Sequence, residues 1–264
     1  MKKIIITLVL LLSCMLNLQA QSNTGTLGGE ATGSGGTASF TGGEVFYTYK
    51  TGTSGSSTDG VQQSYIVIPT GSGNATVNLK LNIQGYYDAA AHAMRAVMLN
   101  QGVGSSTTDV DDVIVELRDS STNAIAASVT ARLKTDGTAT ATFVTPPSGT
   151  FYIAVKHRNT LETWSSAPQK VGSTPLTYDF TTAANKAYGN NMIQLESGVY
   201  GFYSGDLNQD GFIESGDYPS LYNDSDAGLE GYYSTDLNGD GFVESGDYPI
   251  LFNNSDSGIE TLRP

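Results

Sequence analysis

A twelve-residue segment recurs near the end of the chain at an offset of thirty, DLNQDGFIESGD at 206–217 and DLNGDGFVESGD at 236–247. Oxygen donors stand at alternate positions of each copy. Asp206, Asn208 and Asp210 hold positions one, three and five, and Asp236, Asn238 and Asp240 repeat them. Gly211 and Gly241 fall at position six, where a loop wrapping an ion must turn sharply. Phe212 and Phe242 follow at seven, whose donor is a backbone carbonyl, so the side chain is free to vary. Glu214 and Glu244 sit at nine, and Asp217 and Asp247 close the loops at twelve. A hard cation such as Ca2+ takes about six to eight oxygens, and one such segment supplies them. The spacing fits D-x-[DN]-x-[DN]-G, with the shorter Asp in place of Glu at the last position. Two Ca2+ ions are therefore expected, one per loop.

The charge distribution agrees. Thirteen of the 26 acidic residues lie from Gly201 onward against one base, Arg263, so this stretch carries nearly all of the net charge of −13. Without cations it would repel itself. The same acidity excludes nucleic acid as a partner, since phosphates need a basic surface. Each loop runs into Tyr-Pro, at Tyr218-Pro219 and Tyr248-Pro249, and proline suits the first turn of a helix. Short helices are expected through Leu221-Tyr222 and Leu251-Phe252. Ile213 and Val243, apolar at position eight, are expected to lie antiparallel and join the loops by a β-bridge into a pseudo-twofold pair. Replacing Asp206 and Asp236 by Ala is expected to disorder 201–258 and spare the domain before it.

The segments SGDLNQDGFIESGDYPSLYNDSDAG at 204–228 and STDLNGDGFVESGDYPILFNNSDSG at 234–258 resemble the type I dockerin module. That module is a calcium-binding relative of the EF-hand that lacks the entering helix. The resemblance implies coordination through the loop positions named above. It also implies recognition of a cohesin-like partner at positions ten and eleven, Ser215-Gly216 and Ser245-Gly246. The chain departs from the family after the loops, where Pro219 and Pro249 followed by NDSDAG and NNSDSG leave room for only a short helix. GGEVFYTYKTGTSGSSTDGVQQSY at 42–65, FYIAVKHRNTLETWS at 151–165 and YDFTTAANKAYG at 178–189 are similar to segments of secreted surface proteins of Bacteroidetes-type bacteria. This implies an extracellular or cell-surface location.

Catalytic motifs are sparse. The histidines are His92 and His157, the single cysteine is Cys14, and neither HExxH nor GxSxG occurs. His157 in KHRN reads as a surface strand end whose Lys156 and Arg158 pair with acids. The alternative is a sugar-binding patch in which Trp164 stacks on a ring while His157, Arg158 and Glu162 bond hydroxyls. Asp88, Asp109, Asp111, Asp112, Glu116 and Asp119 are the carboxylates from which a glycosidase pair would be drawn. Asp109-Val110-Asp111-Asp112 reads instead as a solvated turn. The expectation is a protein that is not an enzyme.

The elements that position these residues are mainly β. Lys2 and Lys3, the apolar run 4–12 and Leu18-Gln19-Ala20 form a secretory signal over 1–20, too short to span a bilayer. Lipoprotein processing at Cys14, after Leu11-Leu12-Ser13, is the alternative. Cleavage at Ala20 leaves no thiol, hence no disulfide. Residues 21–66 form a Gly/Ser/Thr-rich region with strand-like pieces at 37–41 and 44–50. From about Ser64, SYIVIP, ATVNLKLNI, DVIVELRD, IAASVTARL, TATATFV and TFYIAVKHR alternate between turn signals and predict an antiparallel β-sandwich that with a connector occupies 67–200. Tyr86–Gln101 reads equally as helical turn or strand, YDFTT as a further strand, and TTAANKAY at 181–188 as a short helix capped by Thr181 or Thr182. The dockerin-like module of paired loops and short helices occupies 201–264. The whole reads as a secreted protein that docks to a cohesin-like or other surface protein, or to a glycan. The alternative is an accessory, less readily a catalytic, component of extracellular polysaccharide degradation.

Overall fold

The structure, a computed structural model, describes residues 27–33, 36–42, 48–52, 55–59, 73–144, 146 and 149–264. The signal segment, Cys14 and SYIVIP lie outside the described residues. The chain divides into two units, Met1–Val67 and Ile68–Pro264. In the first, β1 (Leu27–Gly33) pairs with β2 (Gly36–Gly42), and β3 (Thr48–Gly52) with β4 (Gly55–Asp59), both antiparallel. The strand expected at 37–41 is thus β2. The one expected at 44–50 is described from Thr48.

The second unit is an antiparallel β-sandwich, and its strands follow the period-two pattern. In β5 (Asn74–Lys80), Ala75, Val77 and Leu79 face inward, and in β10 (Thr138–Val144) so do Ala139, Ala141 and Phe143. These strands pair antiparallel, and β14 (Leu176–Asp179) joins β5 in parallel. The facing sheet runs β12 (Thr160–Trp164), β11 (Gly149–His157), β8 (Asp109–Asp119), β9 (Ile125–Lys134), with β13 (Gln169–Val171) also on β11. Val113, Val115, Leu117, Leu133, Ile153 and Val155 meet the first sheet in one core. Burying such side chains stabilises by roughly 1.5–3 kcal/mol each.

Tyr86–Gln101, ambiguous by periodicity, takes both forms. Tyr87–Asp88 (β6) and Ala93–Met94 (β7) make a small hairpin, then Val97–Asn100 a single helical turn, α1. The helix expected at 181–188 is only a 3-10 turn over Ala184–Lys186, without a side-chain cap. Thr181 spends its hydroxyl on Asp179 instead, at 2.7 Å. A hairpin of β15 (Ile193–Glu196) and β16 (Val199–Gly201) leads into the duplicated-loop segment.

Each loop there feeds a nine-residue helix, α2 (Tyr218–Asp226) and α3 (Tyr248–Asp256), with proline in the first turn as expected. Ile213, Leu221, Leu237, Val243 and Leu251 form a second core. Leu161 of β12 belongs to it, so a sandwich strand completes the core of the repeat. All five residues of β12 are buried, Leu161 against the repeat and Trp164 against Tyr152 and Arg118. The repeat also backs closely onto Gly85, where a Cβ would stand 1.8 Å from the Leu237 carbonyl oxygen. Any side chain at 85 would therefore push the repeat away. Among the described residues no helix is long and apolar enough to cross a membrane.

Candidate metal centre

The position-eight residues Ile213 and Val243 are buried, but against expectation they do not bridge to one another. Phe212 bridges Glu260, flanked by Ile213 N–H donating to Ile259 O at 2.9 Å and Thr261 N–H to Gly211 O at 2.7 Å. Phe242 bridges Glu230, flanked by Val243 N–H to Leu229 O at 2.9 Å and Gly231 N–H to Gly241 O at 2.8 Å. Each loop is thus clasped by the chain that follows the helix of the other repeat. The pseudo-twofold relation holds, but the bridge is exchanged. Apolar character at position eight dictates burial and leaves the backbone partner open. The flanking pattern also leaves the carbonyls of Phe212 and Phe242 out of these bonds, free for the role of position seven.

Inside the loops the same bonds are made twice. Asp210 N–H donates to Asn208 Oδ1 at 2.9 Å, Phe212 N–H to Asp210 Oδ1 at 3.0 Å, and Gly211 N–H to Asp206 Oδ2 at 3.2 Å. Their counterparts in the second loop measure 2.8, 3.0 and 2.8 Å. Asp217 accepts from Asn208 N–H at 3.1 Å and Glu214 N–H at 3.0 Å, and Asp247 from Asn238 and Glu244 N–H at 2.9 Å each. The closing aspartates therefore turn back across their loops rather than capping the helices they precede. Glu214 and Glu244 are exposed at position nine. Gly211 and Gly241 adopt φ of 92° and 98°, as a sharp turn at position six demands.

Among the described residues no trio of His, Cys, Asp or Glu side chains is gathered around one point. The loops offer a mixed set instead, of Asp, Asn and backbone carbonyl oxygens. One buried atom asks for a cation: Asp206 Oδ1 has no hydrogen-bond partner. Burial, and then the nearby Asp217 and Asp210 carboxylates, push the Asp206 carboxyl up to about 7. Burial likewise pushes Asp247 up to about 6 and raises Asp236. Acids so disfavoured as anions fit a site whose missing charge is positive. Bound there, Ca2+ would neutralise the carboxylates and supply the absent partner of Asp206.

The two loops differ in their surroundings. Asn208, Gln209 and Asp210 are exposed, whereas Asn238 and Asp240 are half-buried and Gly239 buried. Gly239 has φ of 71°, and a Cβ on it would stand 2.6 Å from Val97 Cγ2 and 2.8 Å from Tyr86 Cδ1. Gly239→Ala is expected to cost about 1–3 kcal/mol through strain and overpacking. Urea unfolding checks it, and a loss below about 0.5 kcal/mol would mean that the second loop can lift off the sandwich.

The region around His157 departs from both sequence readings. His157 is 3 % exposed and Asp111 0 %, so neither the surface strand end nor the solvated turn is correct. Asp111 Oδ2 lies 3.0 Å from His157 Nε2 and accepts from Arg158 Nε at 2.8 Å; its Oδ1 accepts from the Tyr232 hydroxyl at 2.6 Å. Burial alone would raise this acid, but the His157 hydrogen bond and the His157 and Arg158 charges hold it well below the usual carboxylate range. Arg158 also donates to the Tyr86 hydroxyl, to Gln101 Oε1 and to the Tyr233 carbonyl, and lies 4.1 Å over the Tyr232 ring. Periodicity marks β11 but does not reveal that the duplicated-loop segment covers its end.

Trp164 is no sugar platform either. It is buried at 2 % exposure, bonds Glu162 through its indole N–H at 2.5 Å and lies under the Arg118 guanidinium. The remaining acids have structural partners. Asp109 bonds Lys134, Asp112 pairs with Arg132 and Glu116 with Arg118. Asp88 and Asp119 hold their own turns.

The molecule is thus a mainly β protein in which an antiparallel sandwich carries a duplicated acidic loop-and-helix segment packed on its surface. No protein-family profile matches the chain, and no curated protein does. Six chains of solved structures match. Two come from type II cohesin–X-dockerin complexes of Acetivibrio cellulolyticus, an N-terminal and a C-terminal interface mutant. Each is 16 % identical and covers 68 % of this chain and 94 % of that chain, with TM-scores of 0.40 and 0.39. Such a likeness assigns neither ligand nor partner here.

Proposed function

We propose that this is a secreted, non-enzymatic surface or extracellular protein whose dockerin-like repeat binds two structural Ca2+ ions and presents a docking face. The observation that carries the reading is the hydrogen-bond pattern repeated in both loops, together with the unpartnered, buried Asp206 Oδ1. Calcium titration by calorimetry is expected to give two sites, and melting is expected to depend on calcium. A protein that binds none at millimolar calcium would refute it.

The acids give a second check, on pH. Without metal, raised carboxyls bind more protons folded than unfolded, so stability falls as pH rises. The fall spans about 4, the ordinary carboxylate value, to about 7, the value at Asp206. With saturating calcium protons compete with the ion, and the trend reverses. Melting temperature measured against pH with chelator and with calcium should show opposite slopes. Parallel slopes would sink the ligand assignment.

The docking part rests on exposure. Ser215-Gly216 and Ser245-Gly246 are exposed, as are Tyr222 and Phe252 at matching points of the two helices. Tethering to a cohesin-like partner within a polysaccharide-degrading assembly is the second reading, favoured by that same pair of faces.

A further inference from the structure

A chain of hydrogen bonds crosses from the core of the sandwich to the second loop. It starts at buried Asp111, which fixes Arg158 through Nε at 2.8 Å. Arg158 Nη2 donates to Gln101 Oε1 at 2.8 Å, and Gln101 Nε2 donates to Asp236 Oδ2 at 2.7 Å. The amide orientation of Gln101 is thereby set from both ends, with its acceptor on a guanidinium and its donor on a carboxylate. Gln101 is 3 % exposed. Its neighbours act on the same loop: Arg95 donates to the Asn238 carbonyl at 2.8 Å and Asn100 Nδ2 to the Gly239 carbonyl at 2.9 Å. Positions one, three and four of the second loop are therefore held by a sandwich segment spanning only seven residues. Among the described residues no side chain of the sandwich bonds the Asp206 carboxylate. Its Oδ2 accepts from Gly211 N–H, while Gln209 Nε2 donates to the Asp206 and Thr160 carbonyls and so ties the loop backbone, not this carboxylate, to the sandwich.

We infer that Gln101 is a positioning residue of the second calcium site, so that the sandwich orients the position-one carboxylate of the second loop and not that of the first. The inference rests on the calcium reading above. A partner that orients a ligand without touching the ion is worth about 10–100-fold in affinity. Gln101 is suited to that work because its hydrogen bond leaves the charge of Asp236 intact while fixing the plane of its carboxylate. Gly241 N–H donates to the same oxygen, at 2.8 Å, so its amide reports on that carboxylate directly.

The test uses the full chain and calcium itself. Asp236→Ala first establishes that the second loop binds: it should remove one of two sites, and if both persist, the ligand assignment fails before Gln101 is touched. Gln101→Met, which keeps length and apolar packing but neither hydrogen bond, is then made in an Asp206→Ala background that leaves only the second site. Calcium affinity should drop about 10–100-fold. In the otherwise native chain, Gln101→Met should shift the Gly241 amide resonance at saturating calcium and leave that of Gly211 in place. This split separates positioning from general destabilisation, which would disturb both. An affinity within about twofold of the background, or an unmoved Gly241 amide, overturns the proposal.

Discussion

Replacing Asp206 and Asp236 together by Ala is expected to abolish calcium binding and remove the calcium-dependent part of the melting temperature. Each acid stands at position one, buried, with its carboxylate bonded to the position-six glycine N–H. Alanine removes both a ligand and the anchor of that turn. At calcium a hundredfold above Kd, each ion would stabilise by about 2.7 kcal/mol, so losing two costs about 5 kcal/mol. For a unit of this size that is about 10–20 °C. The loss should reach beyond 201–258, against the sequence-based expectation that the sandwich is spared. Leu161 lies in the core of the repeat, and Arg95, Asn100 and Gln101 bond the second loop. Calorimetry and hydrogen exchange over 86–101 and 157–164 measure both effects. Two sites persisting in the double variant would refute the assignment, and unchanged exchange in the sandwich would show that the two parts fold independently.

Asp111→Ala should cost about 3–5 kcal/mol, the penalty for stripping one partner from a buried ion pair. Asp111 is the shared acceptor of His157, Arg158 and Tyr232, and the alanine variant deprives each of that partner. Arg158 would also release its hold on Gln101 and the Tyr233 carbonyl, loosening the second loop. Asp111→Asn keeps volume and one acceptor but brings an amide against the guanidinium, so a smaller loss is expected. Urea unfolding at pH 7 with chelator present separates this from any calcium effect. A loss under about 1 kcal/mol for Asp111→Ala would mean that Arg158 is not held by this carboxylate.

The sequence by itself determined the loops, the short proline-started helices and most sandwich strands, because each is encoded within a few consecutive residues. All the donors of one loop fall within twelve positions, the helices open on Pro219 and Pro249, and β5 and β10 alternate strictly between buried and open positions. What lay beyond local pattern was decided by the tertiary structure. Ile213 and Val243 announce burial, yet their backbone partners come from 259–261 and 229–231, since strand pairing is settled by how the chain returns after each helix. His157 and Asp111 look like a surface strand end and a solvated turn until the repeat packs over them, because periodicity shows which face is apolar and not which polar face a second layer will cover. Gln101 carries no local signal at all. Its meaning arises only where the guanidinium of Arg158, in the turn after β11, and an aspartate 135 residues further along the chain converge on one amide.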